Sequence, residues 1–279
     1  MSPFGVYDRT MVREGRPVIG LLTDFGQRDP YVAAMKLVIA ERCDAEILDL
    51  GHEISPQGIE EAAFFLAFVL RSVTNARNLF VVAVVDPGVG SQRRILAAQR
   101  GPLTLLAPDN GILSLVVGSG WTIHSVENER FFLPHGSATF HGRDRFAPVA
   151  AALANGTPLA ELGPAVSVES IRRIDYTPPK IGIDEVIGTV ISIDRFGNVV
   201  TDVDPAVLGN LGEWVLELDD RRVSLHASNY EEMSGRDEPF LIVGSLGTIE
   251  VSVSGGSAAG LLQLERLSRL VLRREVKEG

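Results

Sequence analysis

The sequence has one cysteine, Cys43, among its 279 residues. A lone cysteine excludes an internal disulfide and is compatible with the reducing environment of the cytoplasm. No apolar run reaches the ~20 residues that a membrane-spanning helix needs, and residues 1–16 lack the apolar core of a signal peptide. We therefore expect a cytoplasmic protein that does not enter a membrane, with residues 1–16 forming an N-terminal extension.

Positive charge is also scarce. The 26 Lys and Arg residues are outnumbered by 36 Asp and Glu residues, which gives a formal net charge of −10. Proteins that bind nucleic acid use Lys and Arg to neutralise phosphates, so we expect no nucleic-acid partner, while a small-molecule partner stays open. Hydrophobic residues make up 45% of the chain and charged residues 22%, which is typical of a globular protein with a sizeable core.

The motifs of several enzyme classes are missing. Neither GxxxxGK(S/T) nor GxGxxG occurs, which argues against an ordinary NTPase or a dinucleotide oxidoreductase, and no GxSxG marks a hydrolase serine. Because HxxxH, HxH, CxxC and EF-hand spacings are also absent, we predict no metal site. Asp24, Asp86, Asp109 and His141 still carry oxygen and nitrogen ligands, so a metal-dependent phosphohydrolase is kept as an alternative.

Strand and helix patterns alternate from residue 17 to residue 85. Three apolar runs predict buried strands, and the segments between them have apolar residues at helical spacing. This β-α-β-α-β order predicts an α/β domain with a parallel sheet covered on both faces. The predicted strands are 17–23, 45–50, 79–85, 95–99 and 103–107, with an edge strand at 121–126, and the predicted helices are 31–42, 58–72 and 146–154.

The pattern changes near residue 176. Residues 176–182 include Pro178 and Pro179 and predict an extended linker. Short apolar strands between turns then predict a small antiparallel β-barrel-like domain. We thus expect an α/β domain over residues 17–175 and a β-barrel-like domain over residues 183–279. The strands expected in the second domain are 185–193, 198–203, 214–218, 222–226, 240–243 and 248–253.

Two carboxylates directly follow predicted buried strands, namely Asp24 and Asp86. Ligands of open α/β sheets bind beyond the carboxyl ends of the strands, so if these two strands are neighbours both acids face one crevice. A carboxylate there can bind the vicinal hydroxyls of a ribose. Arg93 and Arg94 follow closely enough to fold back towards Asp86. The alternative is that both acids only form turns.

The segment Phe140–Asp144, which reads FHGRD, brings a base, a glycine, a cation and an acid together. His141 is a candidate general base or orienting group. The alternative is a helix N-terminus capped by Asp144, with His141 merely nearby. In the second domain, glycine-containing turns carry Asp194, Asn198 and Ser245, which either form hairpin turns or contact a ligand.

Six motifs occur in one order along the chain. They are TDFG (23–26), VVDPGVGSxRR (84–94), APDNG (107–111), TFHGRD (139–144), IDxFGN (193–198) and GSxG…SGGSA (244–258). Together they resemble the S-adenosyl-L-methionine hydroxide adenosyltransferases, relatives of the fluorinase and chlorinase enzymes. The resemblance extends from about residue 17 to about residue 272.

The resemblance implies an N-terminal α/β domain and a C-terminal β-barrel-like domain. It also implies a homotrimer, in which the ligand lies between the N-terminal domain of one subunit and the C-terminal domain of the next. The reaction of the family cleaves S-adenosyl-L-methionine with water or hydroxide and yields adenosine and L-methionine. The substrate is then the only small molecule required, without a cofactor.

The resemblance assigns the catalytic set of the family to Asp86, Arg93 and His141, and leaves open whether Asp86 or His141 accepts the proton. Fluorinase-like members have a tyrosine in place of Asp86, lack the arginine and have a serine in place of Gly142, so water is favoured over a halide. A halide-using adenosyltransferase and a non-catalytic adenosine or S-adenosyl-L-methionine binder are the alternatives. The substrate-binding residues that the resemblance assigns are Asp24, Asp86, Asp194, Asn198, Ser245, Glu250 and Val253.

Overall fold

The computed structural model describes residues 15–73, 78–218 and 221–275. The predicted N-terminal extension, residues 1–16, lies almost wholly outside these ranges. Within them, no helix combines the length and the apolar character needed to cross a bilayer. The cytoplasmic location stays a prediction. The chain divides into two compact units, the first ending at Asp175 and the second beginning at Tyr176.

The first unit is an α/β layer structure. Its sheet has the strand order β2-β1-β3-β5-β4-β6. In chain order the regular elements of its described part are β1 Val18–Thr23, α1 Tyr31–Ala40, β2 Glu46–Gly51, α2 Ile59–Arg71, β3 Leu79–Val84, β4 Ile95–Arg100, β5 Leu103–Pro108, β6 Thr122–Ser125 and α3 Ala147–Ala154.

Strand directions confirm most of the predicted parallel sheet. β1 is parallel to β2 and β3, and β3 is parallel to β5. β4, whose direction the sequence analysis did not predict, is antiparallel to both of its neighbours, so the sheet is mostly and not wholly parallel. The reason is the connection: only Gly101 and Pro102 separate β4 from β5, and such a short link joins antiparallel strands only. β6 lies at the sheet edge, as predicted.

Both faces of this sheet are covered, which confirms the predicted arrangement. Alternate residues of one strand point to opposite faces, so Leu21 of β1 packs with α1 and α3 while Leu22 packs with α2. In β3, Val82 packs on the face covered by α1 and α3, and Val81 packs on the face covered by α2. Because apolar side chains fill both faces, polar groups of these strands are left to the strand ends, where the candidate site residues lie.

The second unit is built almost entirely of short strands, following the path β11-β10-β15-β8-β9-β14-β13-β12 with β7 beside β8. All pairs are antiparallel except β12 with β13. The two ends of the path are separated in the chain only by Ser224, which agrees with the predicted β-barrel-like fold. In chain order the elements are β7 Lys180–Ile181, β8 Glu185–Ile193, β9 Val199–Thr201, β10 Trp214–Leu218, β11 Arg221–Val223, β12 Leu225–His226, β13 Phe240–Val243, β14 Ile249–Ser252, α4 Ala258–Leu262 and β15 Arg269–Arg274.

Two elements of the second unit were not expected from the sequence. β15 pairs with both β8 and β10 and is central to the barrel-like sheet. α4 has five residues and is capped by the Ser257 hydroxyl, which accepts a hydrogen bond from the Gly260 backbone N–H. In addition, Lys180 and Ile181 pair with β8 inside the segment 176–182 that was predicted as a linker.

Candidate active site

Asp24 and Asp86 follow the carboxyl ends of two adjacent parallel strands. In the pairing of β1 with β3, Thr23 lies opposite Val84. Asp24 comes directly after Thr23, and Asp86 comes two residues after Val84. The sequence analysis expected Asp24 and Asp86 to face one crevice if their strands are neighbours, and the two strands are neighbours.

Arg93 binds the carboxylate of Asp86 with two nitrogens. Its Nε lies 3.0 Å from Oδ1 and 2.9 Å from Oδ2, and a terminal nitrogen also contacts Oδ2. The side chain of Arg93 is 8% exposed and that of Asp86 4%, so the ion pair is shielded from solvent. The intervening turn brings them together, and it needs Gly90, which has a φ of +81° and would place a Cβ only 2.8 Å from the Ala138 carbonyl oxygen.

His141 contacts the same guanidinium, at the terminal nitrogen that also contacts Asp86. Its Nδ1 is 2.9 Å from a terminal nitrogen of Arg93, and the residue is buried. Burial, followed by the positive charges of Arg145 and Arg93, lowers the pKa of His141 to about 4. The imidazole is thus neutral, and because an arginine N–H can only donate, Nδ1 accepts and Nε2 carries the proton. Asp86, Arg93 and His141 form one continuous hydrogen-bonded set.

The residues after His141 form one π-helical turn, Gly142–Phe146, that continues into α3. Asp144 does not cap a helix: its carboxylate accepts hydrogen bonds from the Ser137 backbone N–H and the Arg143 side chain, both at 2.6 Å. Burial alone would raise the pKa of Asp144, but these hydrogen bonds outweigh it and lower the pKa. The alternative interpretation of FHGRD as an Asp-capped helix start is wrong.

The two neighbouring arginines have different partners, which corrects the expectation that both fold towards Asp86. Arg94 binds Asp109, with its Nε 2.8 Å and a terminal nitrogen 2.6 Å from Oδ2. The other oxygen of Asp109 accepts the Arg172 backbone N–H at 2.8 Å. Asp109 therefore binds Arg94 and the backbone of the chain after residue 170.

Asp24 is held by a backbone contact from the segment before α2. Its Oδ2 accepts a hydrogen bond of 2.9 Å from the Gln57 N–H, and Gln57 has a φ of +64°. Phe25 and Phe140, which are next to Asp24 and His141 in the sequence, form an aromatic group with Tyr31, with ring centroids 5.2 to 6.0 Å apart. Aromatic surface of this kind suits the planar base of a nucleoside.

In the second unit, Asp194 and Asn198 bind each other. Asp194 Oδ1 accepts the backbone N–H groups of Phe196 and Asn198, and Oδ2 accepts the Asn198 amide at 2.8 Å. The loop is packed against the start of α4, because a Cβ on Gly197 would overlap Ser257. Asp194 thus forms the turn, and its carboxylate also holds the amide of Asn198 in one orientation.

Glu250 is buried on β14 and accepts a hydrogen bond of 3.2 Å from the Tyr230 hydroxyl. Burial, together with the nearby charge of Asp194, raises the pKa of Glu250. The neighbouring turn must contain Gly244, because a Cβ there would collide with the Glu250 carboxylate. Ser245 is exposed in that turn, and Val253 is half-buried after β14.

His52 is a polar residue that sequence reasoning missed. It is buried beside Thr23 and hydrogen-bonds the side chains of Thr23 and Asp49. The available signal was its position directly after β2, at the same sheet edge as Asp24.

Among the described residues, no group of three or more His, Cys, Asp or Glu side chains is arranged to hold a metal ion. A cavity of about 580 Å³ lies beside Asp144 and Arg145, and its lining includes none of Asp86, Arg93 and His141.

Comparison with known proteins shows the family of this chain. Residues 19–163 match the SAM hydroxide adenosyltransferase N-terminal domain, and residues 188–271 match the C-terminal domain. The chain belongs to the SAM hydroxide adenosyltransferase family.

The relatives of the chain include hydrolases and halogenases. It is 38% identical to the (R)-S-adenosyl-L-methionine hydrolase of Thermus thermophilus, over 90% of this chain and 96% of that protein. It is 27% identical to a fluorinase of Nocardia brasiliensis, over 71% of this chain and 74% of that protein. A solved structure from Thermotoga maritima superposes with a TM-score of 0.83 at 30% identity, covering 92% of this chain and all of that one.

Proposed function

We propose that the protein hydrolyses S-adenosyl-L-methionine by attack of water on C5′ of the ribose, giving adenosine and L-methionine. The observation that supports this most strongly is the buried Asp86–Arg93–His141 set, whose Asp86 follows the strand next to the one that Asp24 follows. The similarity to an S-adenosyl-L-methionine hydrolase is higher and more extensive than the similarity to a fluorinase.

The chemistry of the substrate fits a site of this kind. The sulfonium makes C5′ electrophilic, and methionine leaves as a neutral thioether once the electron pair of the C5′–S bond moves to sulfur. The leaving group therefore needs neither an acid nor a metal. What the protein has to supply is one water molecule, aligned behind C5′ in a pocket that excludes other solvent, and such alignment is worth up to about 7–11 kcal/mol.

We assign the proton acceptor to Asp86 and a donor role to His141. Nδ1 of His141 is occupied by Arg93, so the imidazole presents Nε2–H, which donates to the oxygen of the water. The carboxylate of Asp86 keeps acceptor capacity beyond its bonds to Arg93, since two oxygens offer about four lone-pair positions. As the O–C5′ bond forms and the C5′–S bond breaks, the water proton passes to Asp86 and then to solvent.

The remaining residues bind the substrate. Asp24 binds the ribose hydroxyls, and its Gln57 contact keeps the carboxylate at the strand end. Asp194 and Asn198, together with Ser245, contact the methionine and adenosine parts. Glu250 and Val253 complete this group, with the Glu250 carboxyl adding a second acidic group near Asp194. No cofactor takes part in the proposed reaction.

The family resemblance also supports a homotrimer in which neighbouring subunits share each ligand. Light scattering of the purified protein should then give three times the chain mass of 30.1 kDa. Mixing an Asp86→Ala variant with an Asp194→Ala variant should restore part of the activity, because some mixed trimers contain an intact site. A monomeric mass, or no restoration after subunit exchange, would contradict the shared site.

The proposed reaction is tested by chromatography of S-adenosyl-L-methionine after incubation with the purified protein. We expect equal amounts of adenosine and methionine, and no such products with Asp86→Ala. A parallel incubation with added chloride or fluoride should give no 5′-halogenated nucleoside, because the Asp86 carboxylate repels a halide. Binding without product would favour the non-catalytic alternative. Activity that a chelator abolishes would favour the phosphohydrolase.

A further inference from the structure

A chain of hydrogen bonds extends from the surface to the strand end that carries Asp24. Nζ of Lys36 lies 2.6 Å from Oδ2 of Asp49, and Oδ1 of Asp49 lies 2.9 Å from Nε2 of His52. Nδ1 of His52 lies 2.9 Å from Oγ1 of Thr23. Thr23 and His52 are both buried, with 0% and 2% exposure, so the contact between these two side chains is shielded from water.

The donors and acceptors of this chain have one consistent direction. Burial alone would raise the pKa of Asp49, but the hydrogen bonds from Lys36 and His52 outweigh it and lower the pKa, so the carboxylate only accepts. Nε2 of His52 is therefore a donor. With a proton on Nε2, Nδ1 is the acceptor for the Thr23 hydroxyl, and the Thr23 oxygen accepts the backbone N–H of Phe25 at 3.2 Å.

His52 contacts the Asp24 turn on both sides. Its imidazole binds Thr23, which precedes Asp24, and its backbone carbonyl accepts the Gly26 N–H at 2.7 Å. The register between β1 and β2 shifts at this end, because Leu21 pairs with Asp49 while Leu22 pairs with Gly51. Such irregularities reorient side chains at sheet ends, and this one accompanies the placement of Asp49 and His52 beneath the turn.

We propose that His52 is a positioning residue for Asp24, acting through Thr23 and anchored by Asp49. The inference rests on the proposed function, in which Asp24 binds the ribose. A carboxylate on a free turn would lose orientational freedom when the ribose binds, whereas one fixed beforehand does not incur that cost. His52 itself does not touch the substrate in this account.

Substitutions can test the hydrogen bonds of the two His52 ring nitrogens separately. Thr23→Val keeps the shape of the side chain but removes the hydroxyl, and Thr23→Ser keeps the hydroxyl. His52→Gln keeps a donor near the position of Nε2 and loses the bond to Thr23. His124→Gln is the matched control, since it removes a histidine contact to the Gly163 carbonyl in the same unit.

The decisive measurement is calorimetric binding of adenosine and of 2′,3′-dideoxyadenosine, which lacks the hydroxyls that Asp24 would bind. We expect Thr23→Val and His52→Gln to weaken adenosine binding about tenfold and to leave dideoxyadenosine binding unchanged. Thr23→Ser should retain the wild-type preference, and His124→Gln should change neither affinity. In turnover, the KM for S-adenosyl-L-methionine should rise more than kcat falls. A general structural role would weaken both nucleosides alike.

The failures of this inference and of the proposed function are distinguishable. If the wild-type protein binds the two nucleosides equally well, the ribose assignment of Asp24 fails and the inference fails with it. If the wild-type protein prefers adenosine and Thr23→Val keeps that preference, only the positioning role of His52 is overturned. Thermal unfolding checks each variant, and should His52→Gln not fold, the comparison of Thr23→Val with Thr23→Ser decides.

Discussion

Arg93 donates a hydrogen bond of 2.9 Å to Nδ1 of His141 and thereby fixes the tautomer of that imidazole. The same guanidinium binds the carboxylate of Asp86, so one cation orients both the carboxylate and the imidazole of the set. His141 is left with an N–H at Nε2, which makes it a hydrogen-bond donor at neutral pH. This relationship supports the proposed roles of Asp86 as proton acceptor and His141 as hydrogen-bond donor.

The donor role predicts that glutamine can replace His141 in part. The amide of His141→Gln places an N–H near the position of Nε2, whereas His141→Ala offers no donor. We expect kcat to fall by about tenfold in His141→Gln and by about 10²-fold or more in His141→Ala. Single-turnover measurements of adenosine formation check this, and equal losses in the two variants would argue for a proton-accepting His141.

The low pKa of His141 predicts a specific pH dependence. A histidine whose pKa is lowered in the folded protein is neutral above that value and becomes charged only as the pH falls towards about 4. The rate of adenosine formation should therefore show no histidine inflection between about pH 5.5 and about pH 8. An inflection near pH 6.5 that disappears in His141→Gln would contradict the assigned tautomer.

The separate partners of the two adjacent arginines predict separate effects. Arg93→Lys loses the paired contact to Asp86 together with the bond to His141, so kcat should fall by about 10²-fold. Arg94→Lys alters a pair whose arginine side chain is 35% exposed, so the free energy of unfolding should fall by only about 1 kcal/mol.

For this pair of variants, urea titrations and initial rates are measured side by side. Each variant is the control for the other, since the same change is made one residue apart. Normal turnover in Arg93→Lys, or a large loss of turnover in a folded Arg94→Lys, would contradict the assignment of Arg93 to the site.

The raised pKa of Glu250 predicts a pH-dependent effect of Glu250→Gln on stability. Glu250 binds its proton more tightly in the folded state than in the unfolded state, so its favourable contribution is present below its unfolded pKa and is lost as the pH rises through the folded pKa. Glutamine resembles the protonated form at every pH. The variant should thus match the wild type in acid and become the more stable of the two as the pH rises towards neutral.

Denaturant titrations across this pH range provide the test for Glu250. Tyr230→Phe is a useful companion variant, because it removes the hydroxyl that donates to the Glu250 carboxylate. A stability difference between wild type and Glu250→Gln that does not change with pH would show that the carboxyl of Glu250 titrates normally.

Much of the first unit was predictable because its signals are local. Buried strands such as Val18–Thr23 and Leu79–Val84 are continuous apolar runs, and α2 has strong apolar spacing with Glu60 and Glu61 in its first turn and Arg71 in its last. The antiparallel direction of β4 could also have been predicted from the sequence. The short link from β4 to β5 permits only an antiparallel pair, and the sequence shows that link plainly.

The features that the sequence did not predict depend on contacts between distant parts of the chain. β15 gains its place by pairing with β8, whose residues lie some 80 positions earlier, and its six residues alone resemble many surface segments. His52 acquires its partner Thr23 from 29 residues away. Arg93 and Arg94 have identical side chains and adjacent positions, so only the folded turn decides which of them reaches Asp86.

The account depends on water being the nucleophile at C5′, aligned by Asp86 and His141. Its most direct test is a single incubation of the protein with S-adenosyl-L-methionine in ¹⁸O-labelled water, followed by mass spectrometry of both products. The account predicts adenosine that carries one ¹⁸O at its 5′ oxygen, alongside unlabelled methionine. Adenosine without the label, or label found in the methionine instead, would contradict it.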